Sequence, residues 1–351
     1  MSYRTPLQVD YWSPEELAVC CAGISSDILG LSIFCADEVS LDAVDAPVAR
    51  VRIAPVGDQH AVCEVWRAPG PFRTGKIGPV RYRANQTLAF GCLELSEASF
   101  AASHHPRTAL SAIVESAYAE IFGCIDSLGF PHLVRVWNHL PEINSNTSGF
   151  ERYRQFNEAR HRSFLACGRQ TAGNVPAACA LGTPAGTALV VYFLASSQAG
   201  TIIENPRQVS AWNYPSQYGA FSPLFSRAIL TNVSTHPELF ISGTASIVGH
   251  RSVHPDDAAD QTREAATNIC ALLGEANRVI NKSVFDKEHL RYKVYVRDPA
   301  DYAAVADVLH AIVQPLASPV FLRADICRSD LLVEVEAVGL GQPGAAHPAG
   351  T

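Results

Sequence analysis

Two glutamates near the end of the chain have the type and spacing of an acid that acts from a β-strand. Glu334 and Glu336 alternate with Val333 and Val335, and side chains two positions apart in a strand point to the same face. A carboxyl group among apolar neighbours loses hydration, which raises its pKa and suits it to donate a proton near neutral pH. The alternative is a solvated outer face on which these glutamates pair with Arg328.

A second strand is predicted just before that pair, at 320–328. Alternation places Arg323, Asp325 and Cys327 on one of its faces, so a guanidinium group and a thiol lie on the same side. The turn at 328–330 then leads into the strand that carries the two glutamates.

A polar and aromatic segment at 204–227 lies between the two halves of the chain. It offers a phenol at Tyr214 and a guanidinium at Arg227, and arginine binds carboxylates through two parallel hydrogen bonds. The stretch 204–223 is richer in Trp and Tyr than a flexible linker would be, so we expect it to pack against a pocket. A structured surface loop is the alternative interpretation.

A helix predicted at 150–164 carries a dense basic patch. The basic residues are Arg152, Arg154, Arg160, His161 and Arg162. Pairs four residues apart, such as Glu158 with Arg162, would stabilise this helix. A solvated charged face is the favoured interpretation, and one arginine that faces a pocket is the other.

Motifs of several enzyme classes are absent from the sequence. It has no GxSxG elbow, no P-loop, no HExxH and, among its ten cysteines, no CxxC pair. With a net charge of −7, the chain lacks the excess of positive charge that binds nucleic acid or an anionic membrane. The positive charge that an anionic substrate requires must therefore lie inside a pocket.

Targeting features are absent as well. The first residues lack the apolar core of a signal peptide, and no stretch approaches the ~18 apolar residues that cross a bilayer. Scattered free thiols fit a reducing compartment. We therefore expect a cytoplasmic protein without membrane or nucleic-acid partners.

The elements that position these residues repeat along the chain, each half following the order β-hairpin, helix, strand, helix, strand, strand. Helices are predicted at 108–128, 150–164, 255–273 and 299–313. Residues 189–195 match 331–337, and 89–91 match 241–243, which indicates an internal duplication. We expect an α/β (α+β) fold of two modules, each a mixed sheet packed by helices on one face.

Four segments of the second half resemble, in the same order, the motifs of RidA/YjgF proteins. Residues 241–243 resemble their ISG strand, and 261–268 resemble their Q-T…N helix. Residues 292–298 resemble their V-F-V-x-D strand, and Val-Glu-Val-Glu-Ala at 333–337 resembles their closing IEIEA.

The extra N-terminal module is similar to chorismatases, a family with RidA-like folds that acts on chorismate in bacterial secondary metabolism. The similarity lies in segments 134–138, 151–156 and 204–208 and extends over most of the chain. It implies chorismate as the small-molecule substrate and no metal, nucleotide or flavin cofactor. It leaves two oligomeric states open: a homotrimer, as in RidA proteins, and a monomer.

The same resemblance implies a division of the chain into parts. A RidA-like module would occupy 1–205, and a RidA/YjgF-like module at 206–338 would carry most of the active site. Residues 339–351, rich in Gly, Pro and Ala, are expected to form a disordered tail.

Matching motifs assign roles to individual residues. Glu334 falls on the family's catalytic acid, which would protonate the enolpyruvyl methylene of chorismate. Tyr214, Arg227 and Arg323 fall on residues that hold the two carboxylates of the substrate.

Two further positions distinguish subgroups of the family, Gly243 and Cys327. Glycine with cysteine resembles the subgroup that forms 3-hydroxybenzoate, which implies a role in supplying a polyketide starter unit. There the 4-hydroxyl of chorismate would displace pyruvate and leave an arene oxide. Cys327 would assist its opening as a proton donor or base, and Gly243 would leave room for a different substrate pose.

Three other functions stay open. The hydrolytic subgroup converts chorismate to 3,4-dihydroxycyclohexa-1,5-diene carboxylate. A RidA-type imine deaminase would use Arg323 for a carboxylate and Glu334 to position water. A non-catalytic module would bind an aromatic or keto acid without turnover.

Overall fold

The computed structural model describes residues 6–39, 41, 44–57, 59–100, 108–234 and 236–341, with the backbone alone at 21–25. The helices are α1 (Pro14–Ile24), α2 (Ala109–Leu128), α3 (Arg152–Ala166), α4 (Ala258–Ile280) and α5 (Tyr302–Val313). The strands are β1 (Gln8–Trp12), β2 (Ile28–Cys35), β3 (Val48–Val51), β4 (Ala61–Arg67), β5 (Arg73–Ile77), β6 (Val80–Ala84), β7 (Leu88–Leu95), β8 (His132–Pro141), β9 (Asn146–Thr147), β10 (Phe150–Glu151), β11 (Ala177–Thr183), β12 (Leu189–Ser196), β13 (Thr201–Ile203), β14 (Ala228–Thr231), β15 (Glu238–Ala245), β16 (Ile247–Val248), β17 (Arg251–Ser252), β18 (Arg291–Val296), β19 (Val320–Arg323), β20 (Asp325–Ile326) and β21 (Val333–Leu340).

Three sheets pack around one central core. Their strand orders are β1-β4-β2-β3, β20-β11-β8-β12-β7-β6-β5 and β13-β14-β15-β21-β18-β19. Each sheet contributes a large aromatic side chain to the core: Trp66, Trp137 and Phe240. The helices cover the outer faces, α1 on the first sheet, α2 and α3 on the second, and α4 and α5 on the third.

The second and third sheets repeat one topology. The order β6-β7-β12-β8-β11 corresponds to β14-β15-β21-β18-β19, and in each case the last two strands are parallel whereas the other neighbours are antiparallel. Two helices lie on one face of each sheet. The predicted fold class, an α/β architecture of two modules with helices on one face, is confirmed.

The first sheet repeats part of the same topology, which the sequence did not reveal. Its order β1-β4-β2-β3 corresponds to β15-β21-β18-β19, with the parallel pair again at the end. Helix α1 joins β1 to β2 as α4 joins β15 to β18. Three related sheets therefore surround the core, and each faces the other two.

The helix ends follow local capping. Thr108 caps α2 by accepting a hydrogen bond from a first-turn backbone N–H, and Gly129 ends it with a φ of 81°. The predicted range 108–128 is therefore confirmed. The prediction of 255–273 was too short, because buried Ala276 continues the apolar face of α4 up to its cap at Asn281.

The prediction of one continuous strand at 320–328 is wrong. Residues Val320–Arg323 pair with β18 of the third sheet, whereas Asp325–Ile326 pair with β11 of the second. The chain changes sheets at Ala324, whose N–H donates to Val296 O. Strand alternation therefore does not hold from Arg323 to Cys327.

The predicted division of the chain at 205 stays a prediction. Strand β13, which lies before that boundary, pairs with β14 of the third sheet, and β20, which lies after it, pairs with the second. The predicted tail begins too early at 339, because Gly339 and Leu340 pair with β15 as part of β21. Residues 342–351 and the pair His104-His105 lie outside the described residues.

Within the described ranges, no helix is both long enough and apolar enough to span a bilayer.

Candidate active site

A small cavity lies where the second sheet meets the third. Residues of α3 and β11 form one side of it, and residues of β15 and β21 form the other. Its polar lining consists of Asn138, Tyr153, Asn157, Arg160, Cys179, Cys327 and Glu334. The charged, amide, thiol and phenol groups of this lining suit a ligand that carries polar groups.

Glu334 brings a carboxylic acid to this cavity from β21. Its side chain is 4 % exposed, and its Oε1 has no hydrogen-bond partner within the described protein. Burial, followed by the negative charge of Glu336, raises the pKa of Glu334 to about 8, against a lowering by Arg135. Glu334 therefore holds a proton at neutral pH. The alternative of a solvated outer face is wrong.

Gly243 makes room for this acid. It lies on β15 within a register shift between Ile241 and Thr244. A Cβ atom at this position would overlap the Oε1 of Glu334 and lie 3.1 Å from the Cβ of Cys179. The carboxyl group therefore occupies the space that an alanine methyl group would take.

Cys327 follows β20 and lines the same cavity. Burial, followed by the negative charge of Glu334, raises the pKa of the thiol to about 12, although a hydrogen bond with Tyr153 lowers it. Cys327 is therefore a protonated thiol at neutral pH.

Tyr214 and Arg227 lie together behind one wall of the cavity. The Nη2 of Arg227 donates to the Tyr214 hydroxyl at 2.7 Å and to Val209 O at 2.8 Å. The guanidinium carbon lies 5.1 Å from the ring centroid of Phe225, which lines the cavity. The Nε of Arg227 has no partner in the described protein.

Arg323 stands apart from this group. Its side chain is exposed at the end of β19 and does not line the cavity. Its backbone N–H donates to Ala54 O, which joins β19 to the chain after β3. Its assignment to a substrate carboxylate stays a prediction from the resemblance.

Arg160 faces the cavity, and the sequence analysis did not single it out. Its Nε donates to the Tyr118 hydroxyl at 2.7 Å and its Nη1 to Leu224 O, whereas Nη2 has no partner in the described protein. The helical spacing with Phe156 and Phe164 could have identified it, because both are buried on the same face of α3.

The other arginines of the patch have partners elsewhere. Arg162 pairs with Glu158, which confirms the predicted i,i+4 pair, and Arg152 pairs with Glu97.

Arg328 covers the neighbouring aromatic segment rather than pairing with a glutamate. Its guanidinium carbon lies 4.0 Å from the ring centroid of Tyr218 and 5.3 Å from that of Tyr214. Its Nη1 donates to His250 O at 3.0 Å and to the Ser252 hydroxyl at 3.2 Å. These contacts join the 214–218 segment to Arg328, the residue after Cys327.

A protonated carboxyl group that lines a cavity beside an arginine is typical of an enzyme that uses general acid catalysis. The family model for "Chorismatase FkbO/Hyg5-like, N-terminal" matches residues 64–195. A 3-hydroxybenzoate synthase of Streptomyces hygroscopicus is 33% identical over 82% of this chain and 83% of its own length. A chorismatase of the same organism is 32% identical over 88% of each chain. The protein belongs to the chorismatase family.

A solved structure supports the same assignment. The crystal structure of a chorismatase superposes with a TM-score of 0.85 at 28% identity, covering 97% of this chain and all of that one. The predictions of an enzyme and of this family are therefore confirmed. Among the described residues, no three His, Cys, Asp or Glu side chains are grouped as metal ligands would be.

Proposed function

We propose that the protein converts chorismate to 3-hydroxybenzoate and pyruvate. The observation that carries this proposal is Glu334, a buried neutral acid that lines the cavity. Protonation of an enol ether carbon requires an acid that keeps its proton at neutral pH, and such acids are made by burial.

Arginines are the proposed anchors of the substrate. Chorismate carries two carboxylates, and Arg160 offers one unpaired guanidinium nitrogen to the cavity. Arg227, held by Tyr214, offers a second positive charge behind Phe225. Charge-assisted hydrogen bonds of this kind fix the orientation of a bound anion and so lower the entropic part of the barrier.

The first chemical step uses the proton of Glu334. The acid donates it to the terminal methylene carbon of the enolpyruvyl group, which becomes a methyl group and leaves an oxocarbenium ion. The bond between the ether oxygen and ring carbon C3 then weakens, because its electron pair neutralises that cation.

In the second step the 4-hydroxyl oxygen attacks C3 as pyruvate leaves, and its proton returns to the Glu334 carboxylate. The arene oxide then opens at C4 as the Cys327 thiol protonates its oxygen. Loss of the C3 proton to the thiolate yields 3-hydroxybenzoate. All atoms of chorismate appear in the two products, so no water is consumed.

Gly243 supports this route because it leaves space for the carboxyl group of Glu334. Because the Glu334 carboxyl occupies the space of a Cβ at 243, alanine there would push the acid towards the substrate or aside. The position would thereby set where the proton is delivered and which nucleophile reaches C3.

The experiment is incubation of purified protein with chorismate, followed by product separation and a pyruvate assay. Equimolar pyruvate and 3-hydroxybenzoate are expected. Pyruvate with the dihydro-diol would keep the family and overturn the proposed product. No pyruvate would contradict the proposal, and the same protein would then be tested for ammonia release from 2-aminoacrylate and for chorismate binding.

A further inference from the structure

A buried network of charges lies in the central core next to Glu334. Its members are Glu64, Arg135, Lys293 and Glu336, and none of them is more than 4 % exposed. The Nζ of Lys293 lies 2.9 Å from Glu64 and 2.6 Å from Glu336, and Arg135 pairs with the other oxygen of Glu336. Buried charges require such partners, because removal from water is costly for each ion.

The network joins all three sheets. Glu64 lies on β4 of the first, Arg135 on β8 of the second, and Lys293 and Glu336 lie on β18 and β21 of the third. Lys293 and Glu336 are also direct partners in the strand register. The charges therefore come together only when the three sheets have packed.

Glu336 and Glu334 share one face of β21 and yet have opposite surroundings. Glu336 accepts hydrogen bonds from Trp137 Nε1 at 3.1 Å and from the Tyr295 hydroxyl at 3.2 Å, in addition to its two cations. Glu334, two residues away, has no partner for Oε1 in the described protein. One carboxylate is saturated with donors, whereas its neighbour forms no salt bridge with any residue that the structure describes.

We infer that Glu336 is a positioning residue, a fixed negative charge behind the cavity that keeps Glu334 protonated for the reaction. The inference rests on the proposed role of Glu334 as the proton donor. The charged and titratable groups that face Glu334 come from every element around it: Glu336 on β21, Arg135 on β8, Cys179 on β11, Cys327 after β20, and Tyr153 and Arg160 on α3. Among these, Glu336 is the anion.

The electrostatic directions agree with this geometry. Burial raises the pKa of Glu336, but Lys293 and Arg135 together lower it below its usual range, so this group stays ionised. Its charge in turn raises the pKa of Glu334. Because an anion nearby disfavours a second one, the charge of Glu336 opposes the direct lowering of the Glu334 pKa by Arg135.

The test compares Glu336→Gln with Glu64→Gln. Glu64 occupies on β4 the position that Glu336 has on β21 and shares the same Lys293, so both variants remove one charge from the same network. The measurement is the pH dependence of kcat/KM for pyruvate release from chorismate. Activity requires protonated Glu334, so in the unaltered enzyme it falls as pH rises through about 8.

In Glu336→Gln this alkaline limb should move to lower pH by at least about one unit, because the proton of Glu334 is no longer retained by a neighbouring anion. In Glu64→Gln the limb should stay within a few tenths of a unit. A lower kcat/KM with an unmoved limb in Glu336→Gln would overturn the inference and leave a purely structural network.

A conservative variant controls for the possibility that Glu336→Gln does not fold. Glu336→Asp keeps the charge, so its limb should remain near that of the unaltered enzyme; a shift as large as that expected for Gln would overturn the inference. Failure of the proposed function would show differently, as an unaltered enzyme that releases no pyruvate at any pH.

Discussion

The second and third sheets share a topology but differ in what fills corresponding positions. Tyr192 of β12 occupies in the second sheet the position that Glu334 of β21 occupies in the third. Tyr192 pairs directly with Trp137 of β8, as Glu334 pairs directly with Tyr295 of β18. Tyr192 stacks on Trp137 with ring centroids 4.5 Å apart and hydrogen-bonds to Glu64. On β4 of the first sheet the corresponding residue is Val62.

Glycines on the neighbouring strands lie beside different groups, Gly91 on the helix-covered face of its sheet and Gly243 on the face towards the central core. A Cβ at Gly91 of β7 would overlap the ring of Phe193, whereas a Cβ at Gly243 of β15 would overlap the Glu334 carboxyl group. In the second sheet the space beside the glycine is filled by an aromatic ring, and in the third by an acid. One scaffold thus supports either packing or chemistry, depending on a few side chains.

The largest effect is expected for the acid of the third sheet. Glu334→Gln removes the proton donor while keeping the size of the side chain, so pyruvate release should fall by about 10²- to 10⁴-fold. A lactate dehydrogenase-coupled assay measures it. Glu238→Gln, a change at a buried carboxylate elsewhere on β15, should retain activity within about threefold. Equal losses in both variants would contradict the assignment of the acid.

A change beside the glycine of the second sheet should affect stability instead. Phe193→Ala empties the space beside Gly91, and the free energy of unfolding should fall by about 3–5 kcal/mol. Urea unfolding measures it. Phe150→Ala, at a side chain that is 67 % exposed, should change it by less than about 0.5 kcal/mol. A small loss in Phe193→Ala would show that this space is not filled by packing.

Substitution of Arg160 tests whether the cavity binds the substrate. Arg160→Met removes the unpaired Nη2, so the KM for chorismate should rise by about 10- to 100-fold. Steady-state kinetics measure it, with Arg162→Met as the control because Arg162 is directed to Glu158. An unchanged KM would remove Arg160 from the substrate site.

The smallest change in rate is expected at the glycine beside the acid. Gly243→Ala should lower the rate about tenfold by displacing Glu334, and should move the product from 3-hydroxybenzoate towards the dihydro-diol. Product separation measures this in Gly243→Ala, Cys327→Ala and the double variant. Gly274→Ala is the control, because its added Cβ meets nothing within 4 Å. An unaltered mixture in the double variant would contradict the assignment to the 3-hydroxybenzoate subgroup.

Local patterns predicted those parts of the molecule that local forces determine. The alternation around Glu334 and Glu336 correctly predicted a shared face on one strand, and capping residues marked α2. The order of strands and helices in the second half followed from the same local patterns, apart from the single strand expected at 320–328. In each case, the structure of a segment is determined by residues close to one another in the sequence.

The rest depended on contacts between distant segments. Nothing within 320–328 shows that the chain leaves one sheet for another at Ala324, because both sheets accept the same apolar pattern. Arg160 looked like part of a solvated basic face until Tyr118 and Leu224 O were placed beside it. The burial of Glu336 required cations from two sheets, Arg135 of the second and Lys293 of the third.

The central claim is that a solvent-exchangeable proton on Glu334 reaches the enolpyruvyl methylene carbon. The most direct measurement is turnover of chorismate in D₂O, with the pyruvate reduced at once by lactate dehydrogenase and NADH so that its methyl group cannot exchange. Mass spectrometry then counts deuterium in the lactate methyl group. We expect one deuterium atom in each methyl group; a methyl group without deuterium would contradict proton delivery from Glu334, since the hydrogen would then come from the substrate itself.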